Sequence, residues 1–114
     1  MKPKKKFRGF FDFGDTKMKI EDYRKEIDDI DGAIVSLLNR RAKTVGEIGK
    51  IKAKAGLPII DLERESEVLQ NILSGNEGVL HEWQLATIYQ KILEESRQIQ
   101  INMISEMARR GELA

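Results

Sequence analysis

The chain has 114 residues, 40% of them hydrophobic and 34% charged, which fits one modest folded domain with a polar surface. A net charge of +1 argues against nucleic-acid binding by electrostatics alone, and the lack of cysteine excludes disulfides and thiolate chemistry and suits a cytoplasmic location. A single histidine, His81, leaves little for a histidine-based metal site or a Ser-His pair, and no apolar run reaches the ~18 residues of a membrane span.

Residues 1–17, MKPKKKFRGFFDFGDTK, hold all four phenylalanines, Phe7, Phe10, Phe11 and Phe13, beside a lysine cluster. Arg8 and Asp12 interrupt any signal-peptide core. The segment has no sustained helical period and reads as a flexible extension. The alternatives are a basic, aromatic contact for a partner chain or nucleic acid, or a natural start at Met18, which opens the first periodic segment.

From Ile20 onward Tyr23, Ile27, Ile30, Ile34, Leu37, Val45 and Ile48 recur at helical spacing. Gly32, Gly46 and Gly49 each weaken that pattern by about 1 kcal/mol relative to alanine. Nothing breaks it before Gly56 and Pro58, so the spacing predicts a helix over about 19–55. At 1.5 Å per residue this is roughly 55 Å long, whereas a compact chain of this size has a radius of gyration of about 13 Å. A stripe that long needs a second subunit to cover it, and an intertwined helical homodimer is expected. Asp61 is a good N-cap, with Glu63 and Glu65 in the first turn. It opens a short helix over about 62–74, whose buried side is Leu62, Leu69, Ile72 and Leu73. SGNEG is a turn. A third helix is expected over about 80–108, with Leu85, Ile88, Tyr89, Ile92, Leu93, Ile99 and Met103 inward. His81 reads as an exposed helix-start residue, Trp83 as packing, and RRGELA as a fraying end. The expected fold is all-α: an extension at 1–17, a three-helix domain at 18–108 and a C-terminal tail at 109–114.

The informative residues interrupt the stripes. Ile27, Ile34 and Ile48 lie at multiples of seven, and the member missing from that series is Arg41. Lys52 follows eleven residues later on the same face, about 16 Å along the axis. Ser96 and Gln100 set a hydroxyl and an amide against an apolar face of the third helix, and buried polar groups need partners. Singly, each has a plain structural explanation. Arg41 can pair with a glutamate, Lys52 can snorkel at a helix end, and Ser96 can bond back to the preceding turn. Together with Asp61, Arg64 and Glu65 they suggest a site for a small polyanion.

Three stretches, YRKEIDDIDGAIVSLLNRRAKTVGEIGKIK, GLPIIDLERESEVL and ILEESRQIQ, resemble the AroQ-class, all-α chorismate mutases over about residues 18–108. The shared pattern is Arg24, Asp31, Arg41 and Lys52, then Asp61-x-x-Arg64-Glu65 and Ser96-x-x-x-Gln100. No key position is missing, and the N-terminal extension is the departure.

The resemblance implies the Claisen rearrangement of chorismate to prephenate, in phenylalanine and tyrosine biosynthesis, with no cofactor and no metal. It implies Arg24 and Arg41 on the two substrate carboxylates. Glu65 and the backbone at Asp61 would take the ring hydroxyl. Arg64 would support the polar wall and Ser96 would help at the ring carboxylate, while Lys52 and Gln100 meet the ether oxygen. Asp31 reads as structural. Arg24 and Arg41 are seventeen residues apart, about 25 Å along one helix, so the resemblance requires Arg24 from the second subunit of a homodimer. The rival readings are an isochorismate pyruvate-lyase of the same fold, a non-catalytic regulatory or dimerisation module of an aromatic-pathway enzyme, and a DNA-associated helical dimer guided by the lysine tail. Neither nucleic acid nor membrane is an expected partner. Retention of Arg41, Lys52, Glu65 and Gln100 argues against the non-catalytic module.

Overall fold

The computed structural model describes residues 8–113, with side chains from residue 15 onward. Three helices follow in chain order: α1 at Arg8–Ala55, α2 at Leu62–Ser74 and α3 at Glu82–Arg109. No strand occurs among the described residues. The end of α1 and both ends of α2 fall where the sequence places them. The start of α1 does not, lying at Arg8 rather than near residue 19. Extending an existing helix adds one hydrogen bond per residue without a new nucleation cost, so loss of the apolar period before Ile20 does not by itself end the helix. The surroundings of Phe7, Phe10, Phe11 and Phe13 lie outside the described side chains. No helix among the described residues is long and apolar enough to cross a membrane.

The chain divides into two compact units, Met1–Asn39 and Arg40–Ala114. In the first, every described side chain from Asp15 to Asn39 is exposed. The apolar stripe Ile20, Tyr23, Ile27, Ile30, Ile34 and Leu37 keeps between 44% and 66% of its surface. Arg24 forms a surface ion pair with Glu21 at 2.8 Å.

The second unit holds residues 40–55 of α1 with α2 and α3. Gly46 and Gly49 are buried. A Cβ on Gly49 would sit 3.2 Å from Gln100 Cγ and 3.3 Å from its Cα, and one on Gly46 would sit 3.4 Å from Met103 Cε. These glycines weaken the helix locally, but they let α1 and α3 approach backbone to backbone. The buried apolar side chains are Leu93 and Met107, and the buried polar ones are Ser96 and Gln100. All four lie on α3. Helix α2 has no buried residue; its Leu69, Ile72 and Leu73 are half-buried.

Some expected core positions face outward. Leu62 is exposed, because the side chain of a first helical residue leans back past the helix end. Ile88 and Ile48 are also exposed within the chain. Trp83 is 68% exposed, and its ring stacks on His81 with centroids 6.5 Å apart. At 100° per residue Trp83 lies about 120° round the helix from Tyr89, off the inward arc. His81 is the exposed N-cap position of α3, so the helix starts two residues later than expected. The backbone N–H of His81 donates to Gln84 Oε1 at 2.9 Å. At the other end α3 does not simply fray. Gly111, at φ +73°, turns the chain so that Glu112 N–H donates to Met107 O at 2.9 Å, satisfying carbonyls of the last turn.

Candidate active site

The break after α1 is built by its own chemistry. Gly56 takes φ +68°, a left-handed conformation that glycine adopts without penalty. Leu57 N–H then donates to Lys52 O at 2.8 Å and Gly56 N–H to Ala53 O at 3.3 Å. This crossed pair closes the helix end, and Pro58 prevents its resumption. Three residues later Asp61 caps α2, its Oδ1 accepting from Arg64 N–H at 3.0 Å. The stop of α1 and the start of α2 are local and close in sequence, so they hold Lys52 at the end of one helix beside Arg64 and Glu65 at the start of the next.

Lys52 is half-buried and its Nζ donates to Ile59 O at 3.1 Å, across the break. An ammonium has three donors, so two remain. Arg41, also half-buried, donates to Ser96 Oγ on α3, and Ser96 Oγ donates to Ile92 O at 2.8 Å. Two of the plain alternatives are therefore real contacts: Ser96 does bond to its preceding turn, and Lys52 does reach a backbone carbonyl near its helix end. Arg41 meets the serine rather than a glutamate. Arg64 is exposed and pairs with Glu67 in the same helix.

These side chains surround one cavity of about 310 Å³, a size suited to a small molecule. Arg41, Lys52, Asp61, Arg64, Glu65, Ser96 and Gln100 all line it, together with apolar Val45, Ile48, Ile59, Val68 and Leu93. Arg24 is not in its lining. Arg97 is, and sequence reasoning gave it no role. Arg97 lies four residues after Leu93 and three before Gln100, so it shares their face. A charge at core spacing is the signal that singled out Arg41, and it was present here too.

The lining carries four cations, Arg41, Lys52, Arg64 and Arg97, against two carboxylates, Asp61 and Glu65. The balance favours a dianion. Among the described residues two buried side-chain atoms lack a hydrogen-bond partner, Arg97 Nε and Gln100 Oε1. Both belong to this lining. Buried polar atoms are rarely left unpaired in a folded protein, so both are available to a polar group entering the cavity. Arg97 Nε does sit 3.2 Å from Glu65 Oε2, but without hydrogen-bond alignment, so the attraction is Coulombic. No group of three or more metal-ligating side chains occurs among the described residues. Elsewhere on α3 a hydrogen bond from Lys91 holds Glu94 below its usual carboxylate range, and neither residue lines the cavity.

Comparison with known proteins places this geometry in a family. The family model for chorismate mutase type II matches residues 23–101. The chain is 46% identical over 79 residues to a bifunctional chorismate mutase/prephenate dehydratase of Aquifex aeolicus, covering 66% of this chain and 22% of that protein. It therefore spans less than a quarter of that relative's length. It is 37% identical over 54 residues to a chorismate mutase of Methanocaldococcus jannaschii, covering 47% of this chain and 54% of that one. Among solved structures, a chorismate mutase (Form II) of Thermus thermophilus superposes with a TM-score of 0.71 at 30% identity, covering 72% of this chain and 93% of that one. The all-α architecture, the matched segment and these likenesses agree: the chain belongs to the chorismate mutase type II family.

Proposed function

We propose that this chain rearranges chorismate to prephenate. The observation that carries the reading is the single cavity in which Arg41, Lys52, Glu65, Ser96 and Gln100 converge from three helices, within a chain of this family. Chorismate is a dicarboxylate with a ring hydroxyl and an enol ether, and its rearrangement needs no nucleophile, proton transfer or cofactor. The protein has two tasks. Guanidinium–carboxylate contacts hold the flexible dianion in its compact, reactive conformer. Donors at the ether oxygen stabilise the negative charge that grows as C–O cleavage runs ahead of C–C formation. Lys52, with two donors to spare, and the Gln100 amide have the chemistry for that second task, and one such preorganised donor is typically worth about 3–4 kcal/mol in the barrier. Rotating the Gln100 amide by half a turn exchanges its buried oxygen for the NH₂ group.

The hydroxyl end needs an acceptor. Asp61 Oδ1 already caps α2, which makes Glu65 the better-placed carboxylate, with the Asp61 backbone beside it. Arg41 takes one substrate carboxylate and Ser96 supports the ring carboxylate, while Arg64 closes the polar wall. The second carboxylate falls to Arg24 of a partner subunit. This reading is supported by the exposed apolar stripe on residues 20–37, which a second copy would cover, and by the sequence distance between Arg24 and Arg41. The homodimer shares each site between two chains, and a chain without cysteine fits the cytoplasm.

Purified protein, without added metal or cofactor, should deplete chorismate with loss of its ultraviolet absorbance and formation of prephenate. No depletion at any protein concentration overturns the proposal, and depletion of isochorismate in preference to chorismate replaces it with the lyase.

A further inference from the structure

We propose that Arg97 is a positioning residue for the hydroxyl end of the substrate, acting by neutralising Glu65 and fixing its carboxylate as an acceptor. The proposal rests on the mutase reading above and assigns a residue which that reading leaves without a role.

A carboxylate is a poor neighbour for a dianion. Within a cavity lined by four cations, an uncompensated Glu65 would repel the substrate it should recognise. Arg97 approaches it from α3, with Nε 3.2 Å from Glu65 Oε2 and side-chain exposures of 35% and 21%. Attraction between such partly screened charges exceeds that of a fully exposed pair. The contact engages Oε2 and leaves Oε1 for a hydroxyl donor. It also ties α2 to α3 at the cavity edge. That tie matters because α2 has no buried residue to lock it, yet it carries Arg64 and Glu65. Arg97 Nε is buried and lacks an aligned hydrogen bond, so a modest shift of the Glu65 carboxylate when a hydroxyl engages it can complete one. A direct role for Arg97 as another carboxylate clamp is the competing account. The two differ in which part of the substrate feels its loss.

The test uses the full-length chain and two substrates, chorismate and an analogue lacking the ring hydroxyl. Arg97→Met should lose about tenfold in kcat/KM on chorismate, mainly through KM, and less than about twofold on the analogue, as expected for a charge-assisted contact reached through Glu65. Arg97→Lys should recover most of the loss, since the charge is retained. On a Glu65→Gln background, Arg97→Met should cost little more, because the charge it neutralises has gone. If Arg97→Met does not fold by circular dichroism, Arg97→Gln replaces it under the same criteria. Equal losses on both substrates, or losses from Arg97 and Glu65 that simply multiply, overturn the positioning role while leaving the mutase reading intact. Wild-type protein inactive on chorismate overturns both.

Discussion

At the scale of single residues, the proposed roles separate by when each contact acts. Lys52 would matter most when charge appears on the ether oxygen. Lys52→Ala should therefore lower kcat by orders of magnitude while circular dichroism still reports the helical fold. Arg41 in its proposed role would meet a carboxylate before and during reaction, so Arg41→Ala should also raise KM. Near-normal turnover by folded Lys52→Ala removes that residue from its role. Gln100 supplies a sharper test through pH. Its amide would donate without being protonated, so wild-type activity should not rise as pH falls through the carboxyl range. Gln100→Glu should introduce one. A free glutamic acid has a pKa of about 4.3, and only its protonated form can donate to the ether oxygen. Activity of that variant should be highest in acid and fall as pH rises through the carboxyl's pKa, reaching at least about a tenfold deficit at neutral pH. A pH–kcat profile parallel to wild type would show that Gln100 does not donate there.

At the scale of elements, the crossing of α1 and α3 at Gly49 places Gln100. Gly49→Ala gains about 1 kcal/mol in helix propensity. Its Cβ, however, would lie 3.3 Å from the Gln100 backbone, and overpacking of this kind costs about 1–3 kcal/mol. The variant should be less stable by about 1 kcal/mol in urea, with kcat reduced about tenfold because the amide is displaced. An alanine variant with wild-type kcat would show that the crossing tolerates the methyl without moving Gln100. The extension is the other open element. The family match begins at residue 23, although α1 begins at Arg8. Deleting residues 1–17 should preserve mutase activity and association, measured by turnover and by light scattering. A large loss of either makes the first turns of α1 part of the domain.

At the scale of the whole molecule, the proposed shared site requires the proposed homodimer. Arg24→Ala and Lys52→Ala should each be nearly inactive alone. Unfolded and refolded together, they should form mixed dimers in which one pocket carries both defects and the other carries neither. Random equal mixing makes about half the dimers mixed, each with one intact site in two, so about a quarter of wild-type activity should return, given symmetric assembly. A mixture that stays inactive after verified chain exchange rules out the shared site. In wild-type protein the exposed stripe at Ile20, Ile27 and Ile34 should become protected from solvent on association.

What could be read from the sequence was what local chemistry decides. Gly56 and Pro58 stop α1 whatever surrounds them, and Asp61 starts α2 by capping its own helix. The side-chain types and spacing of Arg41, Lys52, Asp61, Arg64, Glu65, Ser96 and Gln100 followed from interruptions of a period and from the family resemblance, and all seven line one cavity. Tertiary structure decided the features that depend on which face meets which. It gave Gly46 and Gly49 a purpose, because only a crossing helix makes a missing Cβ useful. It turned Trp83 and Leu62 outward, since helical periodicity identifies an apolar face but not what lies opposite it. It also brought Arg97 to Glu65 across thirty-two residues of chain. No local rule pairs those two charges, and only the packing of α2 on α3 sets them together.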